Sequence, residues 1–278
     1  MVGFAVSSMF FHEYPLEEIF QYIREAGLDS MEFWMETPAF WLSGLPEDEL
    51  ARCMRAFPEL ASLTIHAPIL DLNPTSVNPD IAAISVGYAT KAIHLASRLG
   101  IDLVTVHPGR RTAKRPPGAP DFERFAKYIR TLEVASEETG VRVAMENMEP
   151  KVNSLLCTPD DMRELLDREP WLWFTLDISH AMNSGIAVVK GYIDLCGDRL
   201  VNVHVGRAGG GKMHLPLQED RDMADILRYL ALIGYGGNLT LELEDRNFSH
   251  DLSSEEKILL LSSERKFMQR SFASSTVL

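Results

Sequence analysis

Eight short apolar runs, each followed by a stretch with helical periodicity, are the feature of this chain that most restricts its fold. The runs are VGFAVSS (2–8), SMEFWM (30–35), ASLTIHAP (61–68), DLVTVH (102–107), VRVAMEN (141–147), WLWFTLD (171–177), LVNVHV (200–205) and NLTLELE (238–244). Helical spacing covers 15–26, where Leu16, Ile19, Phe20 and Ile23 recur on one face, then 46–57, 79–99 and 121–139. Further helices are expected from Pro159 onward and over 186–196, 221–233 and 253–269. Gly100 and Gly140 supply stops, and Thr158 followed by Pro159 supplies a start. Strands that alternate with helices form parallel sheets through βαβ crossovers, and eight units close a sheet into a (β/α)8 TIM barrel. An open doubly wound sheet is the alternative, but no glycine-rich nucleotide fingerprint follows the first strand.

The 278 residues, 46% of them apolar, are ample for one barrel core, and no composition break divides the chain. A single domain over residues 1–278 is therefore expected. The start, MVGFAVSSMFFHEYP, lacks a basic region and meets Glu13 and Pro15 early, and no run approaches about 18 apolar residues. These features predict a soluble, cytoplasmic chain with no membrane partner. Cys53, Cys157 and Cys196 are widely spaced and form no paired motif, as expected of free thiols in a reducing compartment. A net charge of -13 argues against a polyanion partner for the molecule as a whole. Locally, Arg110, Arg111, Lys114 and Arg115 gather in HPGRRTAKRPPGAP, which reads either as a solvated loop or as a phosphate-binding loop.

Metal-ligand residue types recur at or just after the ends of these runs: His66, His107, Glu146, Asp177 with His180, His204 and Glu242. In a parallel barrel the C-terminal strand ends converge on one mouth, so residues distant in sequence become neighbours there. Glu146, Asp177, His204 and Glu242 offer three carboxylates and one imidazole to a divalent ion, with Zn²⁺ or Mn²⁺ favoured and Co²⁺ or Mg²⁺ admissible. Such an ion polarises a carbonyl and holds an adjacent hydroxyl, which makes the intervening carbon acidic. His66 and His107 would hold a second metal or orient a substrate hydroxyl. Alternation in LTLELED places Glu242 and Glu244 on one face, so Glu244, nearer the loop, competes with Glu242 for the ligand role, as does Asp245. Glu32 and Trp34 are candidate substrate contacts. The rings Phe33, Trp34, Phe40 and Trp41 would wall the pocket or pack in the core. RAGGGK (207–212) reads as a phosphate cradle or a mobile loop, and Arg207 within it as a further substrate contact. His12, His94 and His250 have no comparable context.

MEN (145–147), LDISHA (176–181), VNVHV (201–205) and LELE (241–244) resemble the xylose isomerase-like barrel superfamily, which contains sugar isomerases and epimerases and also endonuclease IV. The epimerase branch implies one metal on Glu146, Asp177, His204 and Glu242. Glu146 and Glu242 would double as the acid/base pair, moving a proton through a metal-bound enediolate. In the other branch, HAPILDLNP and VTVHPG resemble endonuclease IV motifs, implying His66, His107 and Glu146 on one zinc and His180 with His214 on a third. There the zinc cluster generates hydroxide that attacks the phosphodiester beside an abasic sugar. The sequence departs from that pattern at Lys212, where endonuclease IV has an aspartate ligand, and in HLPLQED, which lacks the usual Gly-Glu-Gly. A lysine ammonium there sets a positive charge where a cation must bind.

The expected function is thus a metal-dependent sugar or sugar-phosphate isomerase or epimerase, with a zinc phosphodiesterase acting at abasic sites in DNA as the alternative. A non-catalytic sugar-binding barrel is the third reading. The expected partner is a small carbohydrate or sugar phosphate, with DNA only under the alternative, and a homo-oligomer stays open.

Overall fold

The computed structural model describes residues 2–60 and 62–273; Ala61, which opens the run ASLTIHAP, lies outside the described residues. Eight parallel strands close into a barrel: β1 (Gly3–Ser7), β2 (Ser30–Trp34), β3 (Ser62–His66), β4 (Leu103–Val106), β5 (Arg142–Glu146), β6 (Trp173–Asp177), β7 (Leu200–Val205) and β10 (Asn238–Leu241). Neighbours follow chain order, and β10 pairs with both β7 and β1 to complete the ring. Outside it run α1 (Leu16–Glu25), α3 (Glu47–Ala56), α4 (Pro79–Leu99), α5 (Ala119–Thr139), α6 (Pro159–Arg168), α8 (Ile186–Cys196), α9 (Arg221–Leu232) and α10 (Ser254–Ala273). The expected eight-unit barrel is therefore the fold.

Local chemistry explains the helix ends. Asn78 caps α4 by accepting from Asp80 N, and Gly100 ends it in the left-handed region at φ 71°. Thr158 caps α6 by accepting from Asp161 N at 3.2 Å, with Pro159 in the first turn. Among the described residues no helix is long and apolar enough to cross a membrane, and the three cysteines are free.

Two short helices and a hairpin are added to the simple alternation. Short helices α2 (Pro38–Leu42) and α7 (Ile178–Met182) follow β2 and β6, and an antiparallel hairpin of β8 (Arg207–Gly209) and β9 (Lys212–Leu215) follows β7. RAGGGK forms this hairpin, turning through Gly210 at φ 59° and Gly211 at φ 77°. Its glycines are spent on the turn. Gly206 lets the hairpin leave the strand closely: a Cβ there would sit 2.7 Å from the Glu242 carbonyl oxygen. The hairpin packs on α7, and β10 stops at Leu241, one residue short of Glu242.

Inside the barrel, beneath its mouth, lies a buried polar layer. Asn202 Nδ2 donates to Glu32 Oε2 at 2.8 Å, and the hydroxyls of Thr105 and Thr64 donate to the same oxygen at 3.2 and 3.4 Å. Thr240 donates to Asn202 Oδ1 at 2.8 Å, and Thr105 and Thr175 share a 3.0 Å bond. Glu32, expected as a substrate contact, is instead fully buried in this layer. It is the third of five residues in β2, so its side chain enters the barrel below the strand ends. Phe33 and Phe40 also turn away from the mouth, meeting edge to face at 5.1 Å in the core.

Candidate metal centre

Every predicted ligand reaches one mouth of the barrel. Glu146 and Asp177 are the last residues of β5 and β6, His66 of β3, and His204 lies one residue before the end of β7. His107 and Glu242 follow β4 and β10 directly, while α7 carries His180 and β9 carries His214. Three groups form whose ligand atoms lie within 4.8 Å of one another: Glu146, Asp177, His204 and Glu242; His66, His107 and Glu146; and Asp177, His180 and His214. Glu146 and Asp177 each belong to two groups, so the three merge into one centre.

Glu146 is the hub. Its Oε2 lies 2.9 Å from His107 Nε2 and 3.3 Å from His66 Nε2, and its Oε1 lies 3.4 Å from His180 Nδ1 and 3.6 Å from His204 Nδ1. His66 Nδ1 faces the Ala67 carbonyl at 2.8 Å; donation there leaves the Nε2 lone pair for the centre. His204 Nδ1 sits 2.6 Å from Glu242 Oε2, and its Nε2 sits 2.8 Å from Glu32 Oε1. Each ring nitrogen of His204 thus faces a carboxylate oxygen at ion-pair distance. Asp177 Oδ2 is buried without a hydrogen-bonding partner, with His180 Nδ1 at 3.8 Å, His204 Nδ1 at 3.9 Å and His214 Nδ1 at 3.8 Å. Buried polar atoms are rarely left so, and an unpartnered carboxylate oxygen beside two further carboxylates and an imidazole fits a cation bound among them.

Charge compensation shapes the ionisation of these groups. Burial alone would raise the Glu146 carboxyl, but His107 and His204 outweigh it and hold it well below the usual range. Glu242 is likewise lowered against burial by His204 and His214. Asp177 goes the other way: burial, with Glu242 and Glu146 adding to it, exceeds the help of His180 and His214. Burial opposes protonation of His66, yet Glu146 and Glu32 lift it to about 9; His180 also reaches about 9 against burial, through Asp177 and Glu146. The raised His66 and His180 thus offset carboxylate charge in the cluster, and a cation bound there would displace their protons.

The supporting residues carried weaker sequence signals. Asn147 locks β5 to β6, its Oδ1 accepting from Asp177 N at 2.7 Å and its Nδ2 donating to Asp177 O at 3.0 Å. Ser179 donates to Asp177 Oδ1 at 3.0 Å and sits 3.1 Å from His214 Nδ1. His214 occupies the left-handed region at φ 55°, a conformation that costs a non-glycine residue about 1–2 kcal/mol. Asn147 and Ser179 lie within MEN and LDISHA, but those motifs say nothing of the partners. Asn202, in VNVHV, and Glu149, whose Oε2 lies 3.9 Å from His180 Nε2, were not anticipated.

Other expected residues fall outside the cluster. Lys212 is exposed, and its Nζ reaches the Asn247 carbonyl at 3.5 Å, so it adds no charge to the His180–His214 group. Arg207 braces its own hairpin, donating to Pro216 O at 3.1 Å and Gln218 Oε1 at 3.0 Å. Trp34 is 5% exposed and stacks edge to face on His12, with ring centroids 6.1 Å apart. Glu244 turns outward to pair with Arg246.

Beside His107 opens a cleft of about 360 Å³ between the loops that follow β3, β4 and β5. Glu36 holds the β3 loop in place, accepting from Ile69 N at 2.7 Å and Leu70 N at 3.0 Å. Gly109, at φ 79°, is required where the β4 loop meets it: a Cβ there would lie 2.7 Å from both Asn73 Oδ1 and Thr75 Oγ1. Gly109→Ala is expected to lose about 2 kcal/mol in urea unfolding, from left-handed strain and the forced loop separation. An unchanged midpoint would show that the loops part freely.

The chain belongs to the xylose isomerase-like TIM barrel family, whose model matches residues 20–269. Among its relatives is an uncharacterized protein of Methanocaldococcus jannaschii, 33% identical over 262 residues that span 93% of this chain and 95% of the relative. A probable endonuclease 4 of Thermotoga maritima is 25% identical over 173 residues, 59% of this chain and 58% of its own. Among solved structures, a D-tagatose 3-epimerase-like protein superposes with a TM-score of 0.80 at 23% identity, covering 99% of this chain and 98% of the other. An L-ribulose 3-epimerase gives 0.78 at 19% identity, covering 99% and 96%. These structural likenesses establish the shared fold.

Proposed function

We propose that this chain is a divalent-metal-dependent sugar or sugar-phosphate epimerase or isomerase, acting as a single barrel domain and working by proton transfer at a carbon beside a carbonyl. The observation that carries this reading is the buried group of Glu146, Asp177, His204 and Glu242, whose potential ligand atoms lie within 4.8 Å of one another and include the unpartnered Asp177 Oδ2. These four residues would hold the metal, which supplies Lewis acidity to a carbonyl and its neighbouring hydroxyl. Glu146 and Glu242 are the proton-moving carboxylates, one taking the proton from carbon and the other returning it. His107 and His204 keep Glu146 ionised, and His66 and His107 orient it through its Oε2. The epimerase-like neighbours are in keeping with this chemistry.

A second reading, a zinc phosphodiesterase, is favoured by one observation: His66–His107–Glu146 and Asp177–His180–His214 form two further candidate ligand groups. The relationship to endonuclease 4 is consistent with it. Incubating the metal-loaded protein with a panel of ketoses in deuterated solvent separates the two. The expected result is deuterium at one sugar carbon, with no nicking of duplex DNA carrying an abasic site. Nicking that is lost in Glu146→Gln, without exchange on any sugar, would replace the first reading by the second.

A further inference from the structure

The basic cluster of the β4 loop is divided by the fold. Arg111 turns back on its own loop, donating to Pro116 O at 2.6 Å and lying 3.7 Å from Asp121. Arg110 and Lys114 instead line the cleft beside His107, and neither side chain has a hydrogen-bond or ion-pair partner among the described residues. The third cation of the cleft, Lys151, is already paired with Glu149. Two exposed positive charges without a side-chain partner therefore border one cavity, which Glu149 also lines, in a chain whose net charge is -13.

The backbone beneath Arg110 is held from both sides. Its N–H donates to Asn73 Oδ1 at 3.0 Å, and its carbonyl accepts from Asn73 Nδ2 and Thr75 Oγ1, both at 2.9 Å. Across the cleft, Arg110 bridges to Ser154, Arg111 N donates to Asn153 O at 2.9 Å, and Asn153 Nδ2 donates to Arg111 O at 2.8 Å. The backbone that carries Arg110 is thus fixed at the cleft, and its exposed, unpaired guanidinium is free to make a charge-assisted, bidentate contact with an anion there. Ile69, Leu72 and Met148 add apolar wall to the same cleft.

We propose that this cleft is an anion subsite in which Arg110 and Lys114 take the phosphate of a phosphorylated monosaccharide whose reacting carbons lie at the metal centre. This narrows the substrate class and rests on the epimerase reading. His107 connects the two parts, lining the cleft while its Nε2 lies 2.9 Å from Glu146 Oε2. A volume of about 360 Å³ suits one small ligand. Duplex recognition would call for a broad basic face, which the acidic balance of the chain opposes.

The test measures binding of inorganic phosphate, D-fructose 6-phosphate and D-fructose to the purified holoprotein by titration calorimetry. Fructose 6-phosphate is expected to bind more tightly than fructose, and Arg110→Ala with Lys114→Ala to weaken both phosphate compounds by at least about tenfold. Arg115→Ala, on the same loop but outside the cleft lining, is the control expected to leave phosphate binding unchanged. Equal phosphate binding by the parent and the double variant would overturn the subsite, even if neutral sugars undergo carbon-bound exchange. Tenfold weakening without exchange on any sugar would uphold the anion site while removing the epimerase reading. Displacement of phosphate by an abasic duplex but not by fructose 6-phosphate would overturn the small-molecule assignment.

Discussion

Glu146→Gln is expected to abolish measurable turnover, a loss of about 10³-fold or more, and to lower the metal content of the purified protein. The amide preserves shape but removes the charge that four imidazoles share: His66 and His107 at Oε2, His180 and His204 at Oε1. The metal-free variant should also show a changed pH profile. Glu146 helps to raise His66 from 6.5 to about 9, against burial, so their pairing stabilises the fold fully below pH 6.5 and is lost as pH rises through about 9. Destabilisation by the substitution should consequently be largest in acid and shrink above pH 9. Elemental mass spectrometry, solvent-deuterium exchange and urea unfolding between pH 5 and 10 measure the three effects. Full metal content with full exchange activity would remove Glu146 from the centre of the chemistry.

Glu32→Leu should have the second large effect, on stability and metal retention together. Glu32 never reaches the mouth, yet its Oε1 lies 2.8 Å from His204 Nε2 and its Oε2 accepts from Asn202, Thr105 and Thr64. Removing it strands a buried imidazole, an amide and two hydroxyls, which should cost about 3–5 kcal/mol. A carboxylate behind a ligating histidine also fixes ring orientation and basicity, so metal affinity should fall about 10–100-fold. Glu32→Gln, which retains an acceptor for Asn202, should lose less stability, about 1–2 kcal/mol, while still weakening metal binding. Urea unfolding of the metal-free protein and competition with a metal chelator report the two quantities separately. Glu32→Leu protein with parental stability and parental metal affinity would mean that the polar layer does not position His204.

The candidate ligands were legible because they depend on strand position and little else. Glu146 and Asp177 end their strands, His66 does the same in β3, and His204 and Glu242 lie within one residue of an end. Closing eight parallel strands brings all such ends to one rim, whatever the loops do. Even the helix starts at Thr158 and the stop at Gly100 followed from local hydrogen bonding and backbone freedom.

Features that needed the tertiary structure depend on depth or on contacts between distant loops. A strand pattern places Glu32 on the inner face, but the register Glu32↔Thr64, two residues below Trp34↔His66, is what sets it beneath the mouth. Arg110 and Arg111 are neighbours in the chain, yet Asn73, Thr75 and Asn153 hold their backbones so that only Arg110 lines the cleft with its charge unpaired. Likewise, the hairpin through Gly210 and Gly211 carries His214 into the centre and leaves Lys212 outside it. The sequence by itself determined the barrel and its rim of carboxylates and imidazoles, since period and strand length are local properties. Which polar groups lie below that rim, line the cleft or turn to solvent was decided by the tertiary structure, because long-range register and loop hydrogen bonds set those positions.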